Sequence, residues 1–353
     1  AFSDDAGNAG TAVTSVGDSS SVTIDNTHPS VTSIAVNGVT SGSYGTASSY
    51  SVVVTASETL SAAPTLALAG GSVGSGTGSS SDTVWTYTFT PTDDDESVTI
   101  DVAVGAISDS AANTNTAAAT QFAFTHDATV PTMTITSTTV SSGATTNDAT
   151  IALVFTSSET TANLVSTDVT LSAGSIGSSF AGSGSSYSAT FTPSADATFT
   201  ISIAAGTFTD AAGNSNTVSN SFTWTYDSTA LTMTIASSTS GVTSGATTND
   251  ATIALTFTSN EATTSLTDDD VTVSGGTLSS FAGSGTDYTA TFAPASGGSS
   301  DATYTISIGA GTFTDGAGNS NTASNSFTWT YDSTSPTMVI ASTTSGVTSG
   351  ATT

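Results

Sequence analysis

The chain has 353 residues with no lysine, arginine or cysteine, and its 28 carboxylates beside two histidines give a formal charge of -28. Such a surface repels DNA, RNA and anionic lipid, because binding phosphate requires Lys or Arg to displace counterions, so no nucleic-acid partner is expected and the natural partners are cations. Without cysteine there is no disulfide, thiol redox chemistry or thiolate metal site, and no apolar run approaches the length of a membrane span, so no membrane insertion is expected in this segment.

Ser and Thr make up about two-fifths of the residues, a mucin-like bias that disordered stalks share. Alternation argues against disorder. In ATIALVF, Ile151, Leu153 and Phe155 face one way; in ATFTISIAA, Phe199, Ile201 and Ile203 do; in SFTWTYD, Phe222, Trp224 and Tyr226 do. Period two marks strands buried on one face, and long β-branched runs with few Glu and no Lys disfavour helices.

The chain opens at AFSDDAGNAG, read as the end of a preceding unit, and lacks the basic start of a signal peptide, so any export signal is expected outside this segment. A marker then recurs as IDNTHP, HDATVP, YDSTAL and YDSTSP, placing Asp25, Asp127, Asp227 and Asp332 about 100 residues apart, the size of a small β-sandwich. The expected organisation is residues 1–27 as the C-terminal part of one unit, complete units at 28–129, 130–229 and 230–334, and the first strand of another at 335–353. In the second complete unit, seven strands are predicted near 132–136 (A), 150–156 (B), 168–173 (C), 178–181 (short), 187–192 (E), 198–203 (F) and 219–226 (G). Gly, Ser and Asn turns between them imply two packed antiparallel sheets.

The stretch SNEATTSLTDDDVTVSGGTLSSFAGSGTDYTATFAP followed by GTFTDGAGNSNT resembles the bacterial Ig-like domains repeated in giant adhesins and biofilm-associated surface proteins. The resemblance rests on five features in order: Ser-x-Glu after strand B, Asp-Val-Thr opening strand C, Tyr-x-Ala-Thr-Phe, the Asp-x-x-Gly-Asn loop and the Asp-containing linker. It covers nearly the whole chain. It implies an all-β fold of tandem seven-stranded Ig-like sandwiches forming an elongated rod: an extracellular, calcium-stiffened stalk without catalysis, cut from a longer array of repeats.

Chain tracing alone also brings acidic groups together. In a seven-strand sandwich the B–C and F–G turns return to the pole from which strand A leaves. For the first unit these groups are Asp25, Glu58, Asp109 and Asn113; for the second Asp127, Glu159, Asp210 and Asn214; for the third Asp227, Glu261, Asp315 and Asn319. The flanking partial units add Asp4, Asn8 and Asp332, and Asp168 and Asp270, each nine residues after its Glu, are candidate further ligands. Hard oxygen donors without nitrogen or sulfur select Ca²⁺ over zinc or copper. The alternative reading is that Asp-x-x-Gly-Asn only builds a tight turn, with Gly213 and Gly318 at positive φ and the Asp capping backbone N–H groups. In the first unit Ala112 replaces that Gly, and a left-handed Ala costs on the order of 1 to 2 kcal/mol.

The opposite poles carry Asp93, Asp94, Asp95, Glu96, Asp148, Asp196, Asp250 and Asp301, expected to be solvated or to complete the next linker's ion. His28 and His126 have no second nitrogen ligand nearby, and Trp224 and Trp329 are expected in the core. No nucleophile elbow, phosphate loop or histidine-metal pattern points to an enzyme. Besides a spacer stalk, two readings stay open: a filament or sheath subunit assembling with identical chains, and a sugar- or ice-surface-binding module presenting flat Thr arrays. No Asn-x-Ser/Thr sequon occurs, so glycosylation, if any, is expected on exposed Ser and Thr.

Overall fold

A computed structural model of the chain describes Ala6, residues 23–295 and residues 302–350. The expectations for Asp4, Asn8 and Asp301 lie outside these residues. Among the described residues the chain is all-β, interrupted only by short 3-10 turns at Ser166–Asp168, Gly177–Ser179 and Asp268–Asp270. No helix among them is long and apolar enough to cross a membrane. The chain divides into two compact units, Ala1–Thr132 with Ser158–Leu164 and Ala205–Thr217, and Met133–Ser157 with Val165–Ala204 and Val218–Thr353.

The first compact unit holds β1 (Val31–Val36), β2 (Tyr44–Gly45), β3 (Tyr50–Ala56), β4 (Ala67–Ala69), β5 (Gly71–Val73), β6 (Val84–Pro91), β7 (Glu96–Asp101) and β8 (Phe122–His126). They form two sheets, ordered β1-β3-β6-β5 and β2-β8-β7-β4. Alternation drives the layering: in β3 every second residue, Tyr50, Val52, Val54 and Ala56, is buried, and these join Phe89, Val98, Ile100 and Phe124 in one core. Edge-on contact of Phe89 with Phe124, ring centres 6.3 Å apart, joins the two sheets.

The second compact unit holds two sandwiches. One comprises β9 (Met133–Ser137), β10 (Thr145–Thr146), β11 (Ile151–Ser157), β12 (Val169–Leu171), β13 (Ala181–Ser183), β14 (Ser186–Phe191), β15 (Ala197–Ile203) and β16 (Phe222–Tyr226), in sheets β9-β11-β14-β13 and β10-β16-β15-β12. The other comprises β17 (Met233–Ser237), β18 (Ala246–Thr248), β19 (Ile253–Thr263), β20 (Val271–Val273), β21 (Thr277–Ala293), β22 (Ala302–Ile308) and β23 (Phe327–Tyr331), in sheets β17-β19-β21 and β18-β23-β22-β20. Trp224 and Trp329 are both fully buried. Each meets a Phe of the facing sheet at 90°, Phe191 at 4.8 Å and Phe292 at 6.2 Å.

Two local features differ from the sequence expectation. The first strand of each sandwich changes sheets: β9 pairs antiparallel with β11, whereas β10 pairs parallel with β16. The crossing occurs at Gly143, whose φ of 85° lets its N–H reach the oxygen of Thr223 at 2.7 Å. The short strand expected at 178–181 instead begins at Ala181, because Gly177–Ser179 forms a 3-10 turn closed by the Ser179 hydroxyl on the Ile176 oxygen.

Candidate metal centres

Among the described residues three carboxylates meet at each of three places: Asp25, Glu58 and Asp109; Asp127, Glu159 and Asp210; Asp227, Glu261 and Asp315. Within each group one ligand atom per residue lies within 4.8 Å of the others. Each group lies within a single compact unit, the first two in one and the third in the other.

Main-chain bonds explain why the groups form. Three residues beyond each Glu, the chain donates to the F–G loop: Ser61 N–H to Ser108 O at 2.8 Å, Ala162 N–H to Thr209 O at 2.8 Å and Thr264 N–H to Thr314 O at 3.0 Å. Each accepting residue directly precedes the loop Asp, so Glu and Asp are brought together by backbone pairing that side chains alone do not specify.

The linker arrives through an amide. Asn113, Asn214 and Asn319 each donate Nδ2 to the linker oxygen, of Asp25 (3.1 Å), Asp127 (3.0 Å) and Asp227 (3.0 Å), and to Oδ2 of Asp109 (2.8 Å), Asp210 (3.0 Å) and Asp315 (3.0 Å). In this orientation the Asn ties loop to linker and presents nitrogen, not oxygen, to the carboxylate. The loop Asp uses its other oxygen to build the turn: Oδ1 of Asp315 accepts the N–H groups of Ala317, Gly318 and Asn319 at 2.8 to 2.9 Å. Turn building and the tie to Asn319 are thus performed by different oxygens of one residue.

Asp109, Asp127, Asp210 and Asp315 are buried. Their electrostatics follow from that burial and from each other. Glu159 is raised above its ordinary value by burial first, then by the charges of Asp127, Asp210, Asp95 and Asp94. Burial and then Asp227, Asp315 and Asp196 raise Glu261; burial, Asp25 and Asp109 raise Glu58, against a lowering by His28. Asp127 is likewise raised by burial and by Asp210 and Asp95. Asp109 is lowered, chiefly by the Asn113 side-chain hydrogen bond. One oxygen of Glu58, Oε1, is buried without a hydrogen-bond partner.

Asp168 and Asp270 stand apart from the groups. Their carboxylates accept the N–H of Val165 and Thr267, each at 2.8 Å, closing 3-10 turns. Asp332 caps Thr334 N–H at 2.9 Å. Three of the opposite-pole acids noted in the sequence stand beside a linker, whereas the second Asn of each loop was not anticipated. Asp94 accepts from Ala128 N–H at 3.2 Å, and Asp196 from Ser228 N–H at 2.9 Å, so an E–F loop carboxylate holds the linkers at Asp127 and Asp227. Asp95, at φ 56°, lines a cavity of about 290 Å³ with Asp127, Glu159 and Asp210. The second Asn of each loop, Asn115, Asn216 and Asn321, is buried and braces the loop from inside, as Asn321 does by accepting from Thr312 N–H (2.8 Å) and Phe313 N–H (3.1 Å). Its repetition two places after the first Asn was the available signal.

His126 is buried, with Nδ1 3.0 Å from the Tyr50 hydroxyl and Nε2 3.3 Å from Asp94, whereas His28 Nδ1 lies 2.8 Å from Thr114 O at the surface.

The sequence matches a family described as bacterial Ig-like domain over residues 127–226 and again over 227–331. No curated protein matches it. Among solved structures it is similar to titin domains I67–I69 in an E-to-A variant, at 8% identity over 86% of this chain and 98% of that one, TM-score 0.34. It is similar to invasin, a bacterial integrin-binding protein, at 13% identity over 78% of this chain and 56% of invasin, TM-score 0.32. A third is SGBP-B of a Bacteroides ovatus mixed-linkage glucan utilization locus, solved with a heptasaccharide, at 15% identity over 88% of this chain and 69% of that one, TM-score 0.16. At such scores the likeness does not extend to function.

Proposed function

The chain belongs to the bacterial Ig-like domain family, and from that premise we propose that it is a non-catalytic spacer segment of an extracellular adhesin-type protein, rigidified by Ca²⁺ at its linkers. The observation that carries this reading is the threefold convergence of a linker Asp, a B–C Glu and an F–G Asp in a chain with no Lys or Arg. The donor set fits a hard cation: all ligand candidates are carboxylate oxygens, several are buried, and Glu58 Oε1 lacks a hydrogen-bond partner. Bound there, Ca²⁺ supplies the positive charge the side chains lack. Asp25, Glu58 and Asp109, Asp127, Glu159 and Asp210, and Asp227, Glu261 and Asp315 are the residues that would hold it, while Asn113, Asn214 and Asn319 position linker and loop.

Calorimetric titration of the full chain with CaCl₂ tests the proposal, with saturable binding expected and its loss in the Glu58→Gln, Glu159→Gln, Glu261→Gln variant. Absence of heat together with an unchanged melting temperature in EGTA would sink it. The extracellular assignment is tested separately by immunogold labelling of intact cells, where label confined to permeabilised cells contradicts it. Outward Thr residues pair across strands, Thr198 with Thr225 at 3.0 Å and Thr303 with Thr330 at 2.8 Å. That is the pairing expected of any solvent-facing sheet, and it does not single out sugar or ice binding. O-glycosylation of exposed Ser and Thr belongs to the same proposal and is read directly from the intact mass of native material.

A further inference from the structure

In two of the three sandwiches an asparagine clamps the first strand. Asn220 accepts the Ile135 N–H at 2.7 Å and donates to the Ile135 oxygen at 2.9 Å. Asn325 does the same to Ile235, at 2.7 and 2.9 Å. Both backbone groups are available because Ile135 pairs with Phe155, and Ile235 with Phe257, at positions where antiparallel strands exchange no hydrogen bonds. The carboxamide therefore stands in for one residue of an absent neighbouring strand.

The first sandwich lacks this clamp. Asn37 N–H donates to Ser51 O at 2.9 Å, and the alternation running back from that bonded pair turns the N–H and C=O of Ile34, opposite Val54, away from β3. Ile34 is thus the counterpart of Ile135. The residue facing it is Thr120, fixed in the place of Asn220 by the preceding bond: Ala119 N–H to Val102 O at 2.9 Å matches Ser219 N–H to Ile203 O at 3.0 Å. Among the described residues no side chain reaches the outward groups of Ile34. A groove of about 350 Å³ opens there instead, lined by Val31, Ile34, Ser41, Thr120, Gln121 and Phe122 among others, within the size range of ligand sites.

We propose that this groove is a docking site for an extended peptide strand of a partner protein, which adds to the free edge of β1 and supplies to Ile34 the acceptor and donor that Asn220 and Asn325 supply within the chain. A peptide group is itself a carboxamide, so an extended strand presents the same pair of groups with side chains on alternate faces. Charge defines the partner further. No ionisable residue lines the groove, yet the chain around it carries -28. The occupant is therefore uncharged where it sits in the groove and basic at its flanks; a second copy of this chain brings the same negative charge and is repelled.

The experiment is amide hydrogen exchange on the full chain, alone and with about 1 mM of a blocked peptide of alternating Thr and Val flanked by Lys, with a Glu-flanked peptide as control. Without peptide, Ile34 exchanges faster than Ile135 and Ile235 on the order of ten-fold, the loss of one hydrogen bond. The Lys-flanked peptide slows Ile34 selectively. Thr120→Asn slows it without peptide and removes the peptide's effect, while Asn220→Thr makes Ile135 exchange fast and creates a second responsive position, so that the proposal stands on two variants. Ile34 already as protected as Ile135, no peptide response at Ile34, an equal response to the Glu-flanked peptide, a response that survives Thr120→Asn, or protection that grows with protein concentration alone each overturns it, the last by making a second copy the occupant.

Discussion

Asn319 holds the linker oxygen of Asp227 at 3.0 Å from a position 92 residues further along the chain. The same amide carries an Asp315 oxygen, so one side chain sets the separation between a linker carboxylate and a loop carboxylate. Replacing Asn319 with Ala leaves all three carboxylates of that group in place and removes what orients them. Calcium affinity at this site is expected to fall about ten-fold, the usual scale for removing a group that orients ligands. Calorimetry on Asn319→Ala checks this, and unchanged affinity would assign the Asn to the turn alone.

Ala112 takes φ 70° where Gly213 and Gly318 take 97° and 95°. Ala112→Gly is expected to stabilise the chain by roughly 0.5 to 1 kcal/mol, the relief of left-handed strain less the entropy glycine loses on folding. Gly213→Ala is expected to destabilise by about 1 to 2 kcal/mol through backbone strain alone, since an added Cβ meets no atom within 4 Å. Urea unfolding of the two variants should move in opposite directions. Movement in the same direction would mean that the loop relaxes out of the left-handed region.

These loops also show how far the sequence was legible. Strands β11, β15 and β16 follow from alternation because one face of each is buried, and period two is a local property. Convergence of the linker, B–C and F–G acids was legible because sandwich topology returns these turns to one pole. β10 was not, since Thr145 and Thr146 are too short for periodicity and become a strand only through parallel pairing with β16. Nor was the partner of Asn220: nothing local says that its amide reaches Ile135, 85 residues earlier. Asp168 and Asp270 were singled out by distance from a Glu, and the structure gives their carboxylates to 3-10 turns, an outcome that spacing does not distinguish.

In the metal-free chain, stability is expected to depend on pH through the raised carboxyls Glu58, Glu159, Glu261 and Asp127. Each keeps its proton in the folded state over an interval above its ordinary value, 4.5 for the glutamates, where the unfolded chain has lost it. The folded state binds more protons there, so stability falls as pH rises through the interval. Asp109 and Asp196 have the opposite sign, because their folded values lie below 3.8 and their contribution disappears only in stronger acid. Urea unfolding in EGTA should therefore pass through a maximum on the acid side of neutrality. Saturating Ca²⁺ should flatten the fall toward neutral pH, and a chelated chain most stable at neutral pH would contradict the assignment.

At the third group, Asp227, Glu261 and Asp315 present oxygens within 4.8 Å. At such a separation each ionised pair repels by about 1 kcal/mol in bulk water and about 3 kcal/mol at an effective dielectric of 20. With no Lys or Arg in the chain to offset this, the group expected to move is the linker Asp, whose N–H donates to Thr146 O at 3.1 Å, whose main-chain oxygen accepts from Asn319 and whose carboxylate, among the described residues, accepts only the Thr229 N–H two residues on, at 3.0 Å. Chelation should thus loosen the segment around Asp227, and Ca²⁺ should hold it. Because trypsin finds no site, the informative protease is one that cuts after Asp and Glu. Cleavage after Asp227 is expected in EGTA and suppressed by Ca²⁺. In Glu261→Gln, which removes two of the three repulsive pairs, cleavage in EGTA should be slower and protection by Ca²⁺ weaker. Equal cleavage of both chains with and without Ca²⁺ would show that neither the repulsion nor the ion governs this linker.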